Sequence, residues 1–245
     1  MRSLIAFPCL GDMLVGALDG AAGQTGLLIV SGGNQVRAGP HRSMSLLAHR
    51  IAAAGFPVFR FDRRGVGDSS GVNMGFEGSA DDIAAAARTF RREASLRRVV
   101  AFGNGDGATA LALFHAEARI DALVLANPLI KPAAKTARAD AVDPGDSRGW
   151  MRQMIGRIGG RREDAEPGLL ARVAEALAAA EMPITVLLAT RDPVGSAFAD
   201  VLHRPAFAAL GARIRRKQFN TASHSFAGTS DKAWLYERIL ETLAE

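Results

Sequence analysis

With a single cysteine in 245 residues, Cys9 has no internal partner, so no disulfide can staple this chain. No Cys/His grouping has metal-ligand spacing either, which removes a structural zinc site from consideration. Aromatic residues make up only 6% of the sequence, and no apolar run approaches the roughly 18 residues that a membrane-spanning helix needs. The opening Met1-Arg2-Ser3-Leu4-Ile5-Ala6-Phe7-Pro8 is interrupted by Pro8 and Gly11-Asp12 too soon to read as a signal peptide, so a cytoplasmic location is expected. The G-x-x-x-x-G-K-[ST] phosphate loop is absent, and the glycines of residues 103–107 do not make a dinucleotide fingerprint; no cofactor is expected. Charge of one sign is not concentrated. The net +5 is spread over Arg91-Arg92, Arg97-Arg98, Arg161-Arg162 and Arg213 to Lys217, without interleaved aromatics, which argues against a nucleic-acid partner.

What is abundant is Ala, Leu and Val, within a hydrophobic fraction of 48% that suits helices packed on a parallel sheet. The length suits one domain with a lid. A hairpin is expected from Leu4 to Pro8 and Met13 to Leu18, turning at Gly11-Asp12. Short apolar runs then mark strands at Gly26 to Val30, Pro57 to Phe61, Arg98 to Phe102, Ala122 to Ala126, Ile184 to Ala189 and Arg213 to Phe219. Helical stretches separate them at Ser43 to Ala54, Ser79 to Ala94, Gly107 to Glu117, Ala197 to Leu210 and Asp231 to Leu243. This alternation predicts an α/β fold, a mostly parallel sheet with helices on both faces. The strand signal lapses between Lys131 and Glu181, so residues 132–180 are expected to form a small helical lid on a core of 1–131 and 181–245. Trp150 and Met154 in that segment are candidates to face a substrate, although helix-spaced apolar residues commonly serve packing alone.

Val99 to Ala108 reads as a strand, a tight glycine turn and a helix start, the context in which a G-x-S-x-G elbow presents its nucleophile. Gly103 and Gly107 stand at the flanking positions, and Gly105 stands where the nucleophile belongs. Downstream, Asp192 lies just past a late strand, and His224 lies in the loop after the last one. An aspartate before proline also caps helices, and a lone loop histidine needs no special role. Their joint placement, in the order elbow, acid, histidine, makes them candidates for the acid and base of an acyl-transfer site. The loop Ser31-Gly32-Gly33-Asn34 is placed to supply one backbone N–H of an oxyanion hole, at Gly33 or Asn34, with Asp106 supplying the other. His41 lies near that loop as a candidate ligand contact. Phe61 to Gly71 is expected to be structural, with Asp68 and Ser69 closing a turn.

Taken together these segments resemble the α/β-hydrolase superfamily over nearly the whole chain apart from the lid. Gly32 to Arg42, Phe61 to Ser69, and the elbow followed by Leu123 to Pro128 are similar to the exosortase A system-associated hydrolases. That resemblance implies an ester or thioester hydrolase associated with extracellular polysaccharide production in Gram-negative bacteria, acting on a small acylated substrate. It also implies Ser or Cys at the elbow followed by Asp-Gly or Asp-Ala. Asp106-Gly107 fit, and Gly105 departs. Three explanations stand open: an altered nucleophile in an otherwise ordinary hydrolase, a pseudoenzyme that binds an acyl ligand or a pathway partner, or His224 and Asp192 acting on water without a covalent intermediate. A shifted reading with Asp106 as nucleophile requires its side chain, rather than its N–H, to face the pocket. A homodimer through the lid or a sheet edge is also open.

Overall fold

The computed structural model describes residues 1–130, 168–208, 210 and 213–245. Eight strands form one sheet in the order β1-β2-β4-β3-β5-β6-β7-β8. The first two, β1 (Arg2–Cys9) and β2 (Asp12–Asp19), make the expected antiparallel hairpin, and β2 runs antiparallel to β4 (Val58–Phe61). The remaining strands are parallel: β3 (Thr25–Val30), β5 (Arg98–Asn104), β6 (Ala122–Ala126), β7 (Ile184–Ala189) and β8 (Ile214–Phe219). The inner strands are buried along their middles and mostly apolar, as suits strands covered on both faces. β8 carries Arg215, Arg216 and Lys217 at the sheet margin, where exposed charge discourages edge-to-edge pairing.

Side chains alternate across each strand and divide the interior into two cores. Leu28, Val30, Phe59, Val99 and Ala101 pack beneath α2 (Ala80–Glu93) and α3 (Asp106–Phe114). Leu27, Ile29, Val58, Val100 and Phe102 face α1 (Ser43–Ala53) and the C-terminal helix, α7 (Thr229–Ala244). None of the helices among the described residues is long and apolar enough to cross a membrane.

Helix α4 (Leu169–Ala179), placed by sequence within the lid 132–180, buries Leu169, Val173, Ala174 and Leu177 in the α2/α3-side core. These positions form one amphipathic stripe. Trp150 and Met154 lie outside the described residues. The single helix expected over 197–210 is instead two, α5 (Pro193–Val201) and α6 (Pro205–Ala208). Asp192 caps the first by accepting from the Gly195 N–H, and Pro193, with its fixed φ and missing N–H, begins it.

The elbow depends on a close approach of backbones. A Cβ on Gly103 would stand 2.6 Å from the carbonyl group of Gly107 and 2.7 Å from the Ala108 nitrogen, so only glycine lets α3 start against β5. Gly103→Ala is expected to destabilise the fold by about 1–3 kcal/mol, the usual cost of overpacking, read as a lower urea midpoint with unchanged m-value.

Candidate active site

Gly105 occupies the cap of α3 with φ 60° and ψ −123°, a conformation that side chains resist and that nucleophile elbows impose. Its N–H donates to the Ala126 carbonyl at 2.9 Å, tying the turn to the end of β6. The direction of the missing side chain is informative. A Cβ built on Gly105 would lie 2.9 Å from His224 Nε2. The imidazole therefore stands against the ground that a serine or cysteine would occupy, and a side chain there requires the ring to withdraw.

The structure brings His224 and Asp192 together: Nδ1 of the imidazole lies 2.8 Å from Asp192 Oδ2. A carboxylate can only accept, so Nδ1 carries the proton and Nε2 is the basic nitrogen. Asp192 is 5% exposed, and the same Oδ2 accepts from the Gly195 N–H at 3.0 Å. One oxygen thus caps α5 and orients the base. The histidine loop is pinned by Phe226, buried and stacked on Trp234 at 5.4 Å, which in turn stacks on Phe219 at 5.1 Å.

Asn127, fully buried at the end of β6, ties the histidine loop to the end of β7. Its Nδ2 donates to the His224 carbonyl at 2.7 Å, and its Oδ1 accepts from the Ala189 N–H at 2.8 Å. Sequence reasoning did not single it out. The available signal was an asparagine closing an all-apolar strand ahead of Pro128, where a buried carboxamide needs backbone partners.

The residues nominated for an oxyanion hole are placed together but differently engaged. Gly33 N–H points at the Asp106 carboxylate, 2.7 Å from each oxygen. On the other side of that residue, Arg63 donates to the Gly33 carbonyl. Arg63 is 4% exposed; burial pushes its pKa down while Asp106 and Asp82 pull it up. Asn34 turns its side chain away to accept from Asn73 Nδ2 at 2.8 Å. The Asp106 backbone N–H opens α3, where an amide has no intrahelical acceptor. Asp106 therefore meets the Gly33 loop, while the direction toward His224 belongs to Gly105.

His41 is exposed in a left-handed turn ahead of α1. Cys9 is buried, donates to Asp82 at 3.5 Å, and has its thiol pushed up to about 11 by burial and by Asp82, which makes it a poor substitute nucleophile. In the loop after β4, Ser69 donates to the Asp62 carbonyl at 2.7 Å and accepts from Val15 N–H at 2.9 Å, a structural use.

Residues 28–162 match the family described as Serine aminopeptidase, S33. No curated protein matches the chain. Among solved structures, the Pyrococcus furiosus esterase Pf2001 aligns at TM-score 0.71 and 16% identity, over 100% of this chain and 92% of that one. Est1E from Butyrivibrio proteoclasticus, solved with ferulic acid, aligns at TM-score 0.68 and 17% identity, covering 98% and 100%. The thioesterase domain from the curacin biosynthetic pathway aligns at 0.68 and 14%, covering 98% and 99%. At these identities the likeness shows a shared fold.

Asn127→Ala strands a buried N–H at Ala189 and a carbonyl at His224, and is expected to cost about 2 kcal/mol or more in urea unfolding. Asn127→Asp keeps the acceptor but sets a buried carboxylate oxygen against the His224 carbonyl, and should cost at least as much.

Proposed function

This chain belongs to the α/β-hydrolase family described as Serine aminopeptidase, S33, and we propose that it hydrolyses an ester or thioester with water activated by His224 and Asp192. One observation carries the reading: the base is held by its acid at 2.8 Å and presents Nε2 to the position that Gly105 leaves without a side chain. In this chemistry Nε2 takes a proton from water as the oxygen attacks the acyl carbon. The imidazolium, stabilised by Asp192, then returns the proton to the departing alcohol or thiol. The Asp106 backbone N–H is the donor for the developing oxyanion. No acyl-enzyme forms, because Gly105 offers no atom to carry it.

The likeness of Gly32 to Arg42 and of the elbow to the exosortase A system-associated hydrolases supports a substrate from extracellular polysaccharide production. Esterases and a thioesterase among the structural neighbours are consistent with an acyl substrate. A second reading, ligand binding without turnover, is favoured by one contact: the Gly33 amide is already taken by Asp106.

Short- and long-chain nitrophenyl esters and thioesters separate the two. The protein is expected to turn over at least one of them, and His224→Ala to lower that rate by about 100-fold or more. Activity that appears only in Gly105→Ser or Gly105→Cys would show a disabled covalent hydrolase. Silence in every variant, with acyl ligands still bound, would establish the binding reading.

A further inference from the structure

We propose that β1 is the edge through which two copies of this chain associate, their β1 strands pairing antiparallel about a two-fold axis at Leu4 so that the two sheets become one. β1 ends the sheet, and among the described residues no strand pairs with its outer side. The two-residue turn Leu10-Gly11, with positive φ at both, joins Cys9 to Asp12 and fixes which backbone groups face out. Met13 and Val15 send their N–H groups away from β1, to the hydroxyls of Ser70 and Ser69. Their partners in register, Pro8 and Ala6, and by alternation Leu4 and Arg2, therefore turn their own backbone groups to the open side. Pro8, with no N–H to offer, closes that row at a place where an edge tolerates it.

Phe7 and Cys9 point into the α2/α3-side core, so the even-numbered side chains of β1 lie on the other face of the sheet. There the hairpin is bare: Leu4 is 68% exposed and Met13 48%, with Ala6 and Pro8 exposed beside them. Charge favours a second copy as the occupant. Arg2, the one charged residue of β1, is drawn back onto Asp19 at 2.8 Å and onto the Ser45 carbonyl at 3.1 Å, so two such edges meet without opposing cations. The opposite edge, β8, carries three consecutive cations and repels its own copy. Pairing centred on Leu4 sets Arg2 opposite Ala6 of the partner subunit, uses the outward groups of Arg2, Leu4 and Ala6, and leaves Pro8 outside the ladder. An axis at Ile5 would set Arg2 opposite Pro8 of the partner subunit and lose a hydrogen bond. A stable dimer buries about 1,200 Å² or more, beyond what one strand edge supplies. The remainder is available in Leu4, Met13 and Leu46 of α1, which is 51% exposed and lines one groove with Met1 and Arg2.

The test is sedimentation velocity of the full chain from submicromolar to submillimolar concentration. The unaltered protein should shift from one chain mass to twice that mass. Leu4→Lys, which sets two like charges against each other on the axis, should weaken the association about tenfold or more. Leu10→Lys alters an equally exposed leucine at the hairpin tip and should leave it unchanged. A short bismaleimide should join two copies of Leu4→Cys. It should not join Leu10→Cys, whose thiols would stand about 40 Å apart at roughly 3.3 Å of rise per residue. A single chain mass at every concentration would overturn the proposal. So would a dimer that tolerates Leu4→Lys, or one cross-linked equally at both positions, since either places the interface elsewhere. Ester turnover plays no part in these readouts, so the interface stands or falls apart from the hydrolytic reading.

Discussion

Val30 and Gly103 face one another across parallel strands, and beyond that rung the chain leaves β3 and β5 toward different elements. β3 is followed in sequence by its neighbour β4 on one side, while β5 lies on the other, so the two strand ends open a crevice at the point where the winding reverses. Every part of the candidate site hangs on this constraint. The loop of Gly33 issues from one lip and the elbow of Gly105 from the other. Because the register is parallel and the inner strands are sealed on both faces, the two loops are held rigidly enough for single backbone amides to matter.

Against that frame of strands the chemistry divides unevenly. The acid–base part has the most support: a buried acid that also caps a helix, an imidazole held at 2.8 Å, an aromatic stack beneath the loop and a buried carboxamide tying that loop to β7. The covalent part lacks its side chain, and the imidazole stands close to the place that side chain would occupy. The electrostatic part is present in backbone geometry and partly spent, since one amide faces Asp106.

Much of this was legible in the residues. The core strands could be read because Ala122 to Ala126 and Ile184 to Ala189 are uninterrupted apolar runs, and the structure places them there. The elbow, Asp192 and His224 could be read because glycine spacing and strand-end placement are local signals. What stayed hidden was non-local. Asn127 gains meaning only when β7 and the histidine loop converge on it, and Arg63 only when the Gly33 loop folds over it. The packing of α4 was hidden too, since its burying stripe gains a partner only once α3 is seen beside it. The helix at 193–201 began earlier than expected because its start was set by a cap and a proline rather than by apolar periodicity.

The most direct test of hydrolysis without an acyl-enzyme is rapid-quench mass spectrometry of the unaltered chain with an activated acyl ester. Acid and alcohol should be released together at one linear rate from the first turnover, with an intact protein mass throughout. A burst of alcohol equal to the protein concentration, or a protein mass raised by one acyl group, would contradict it.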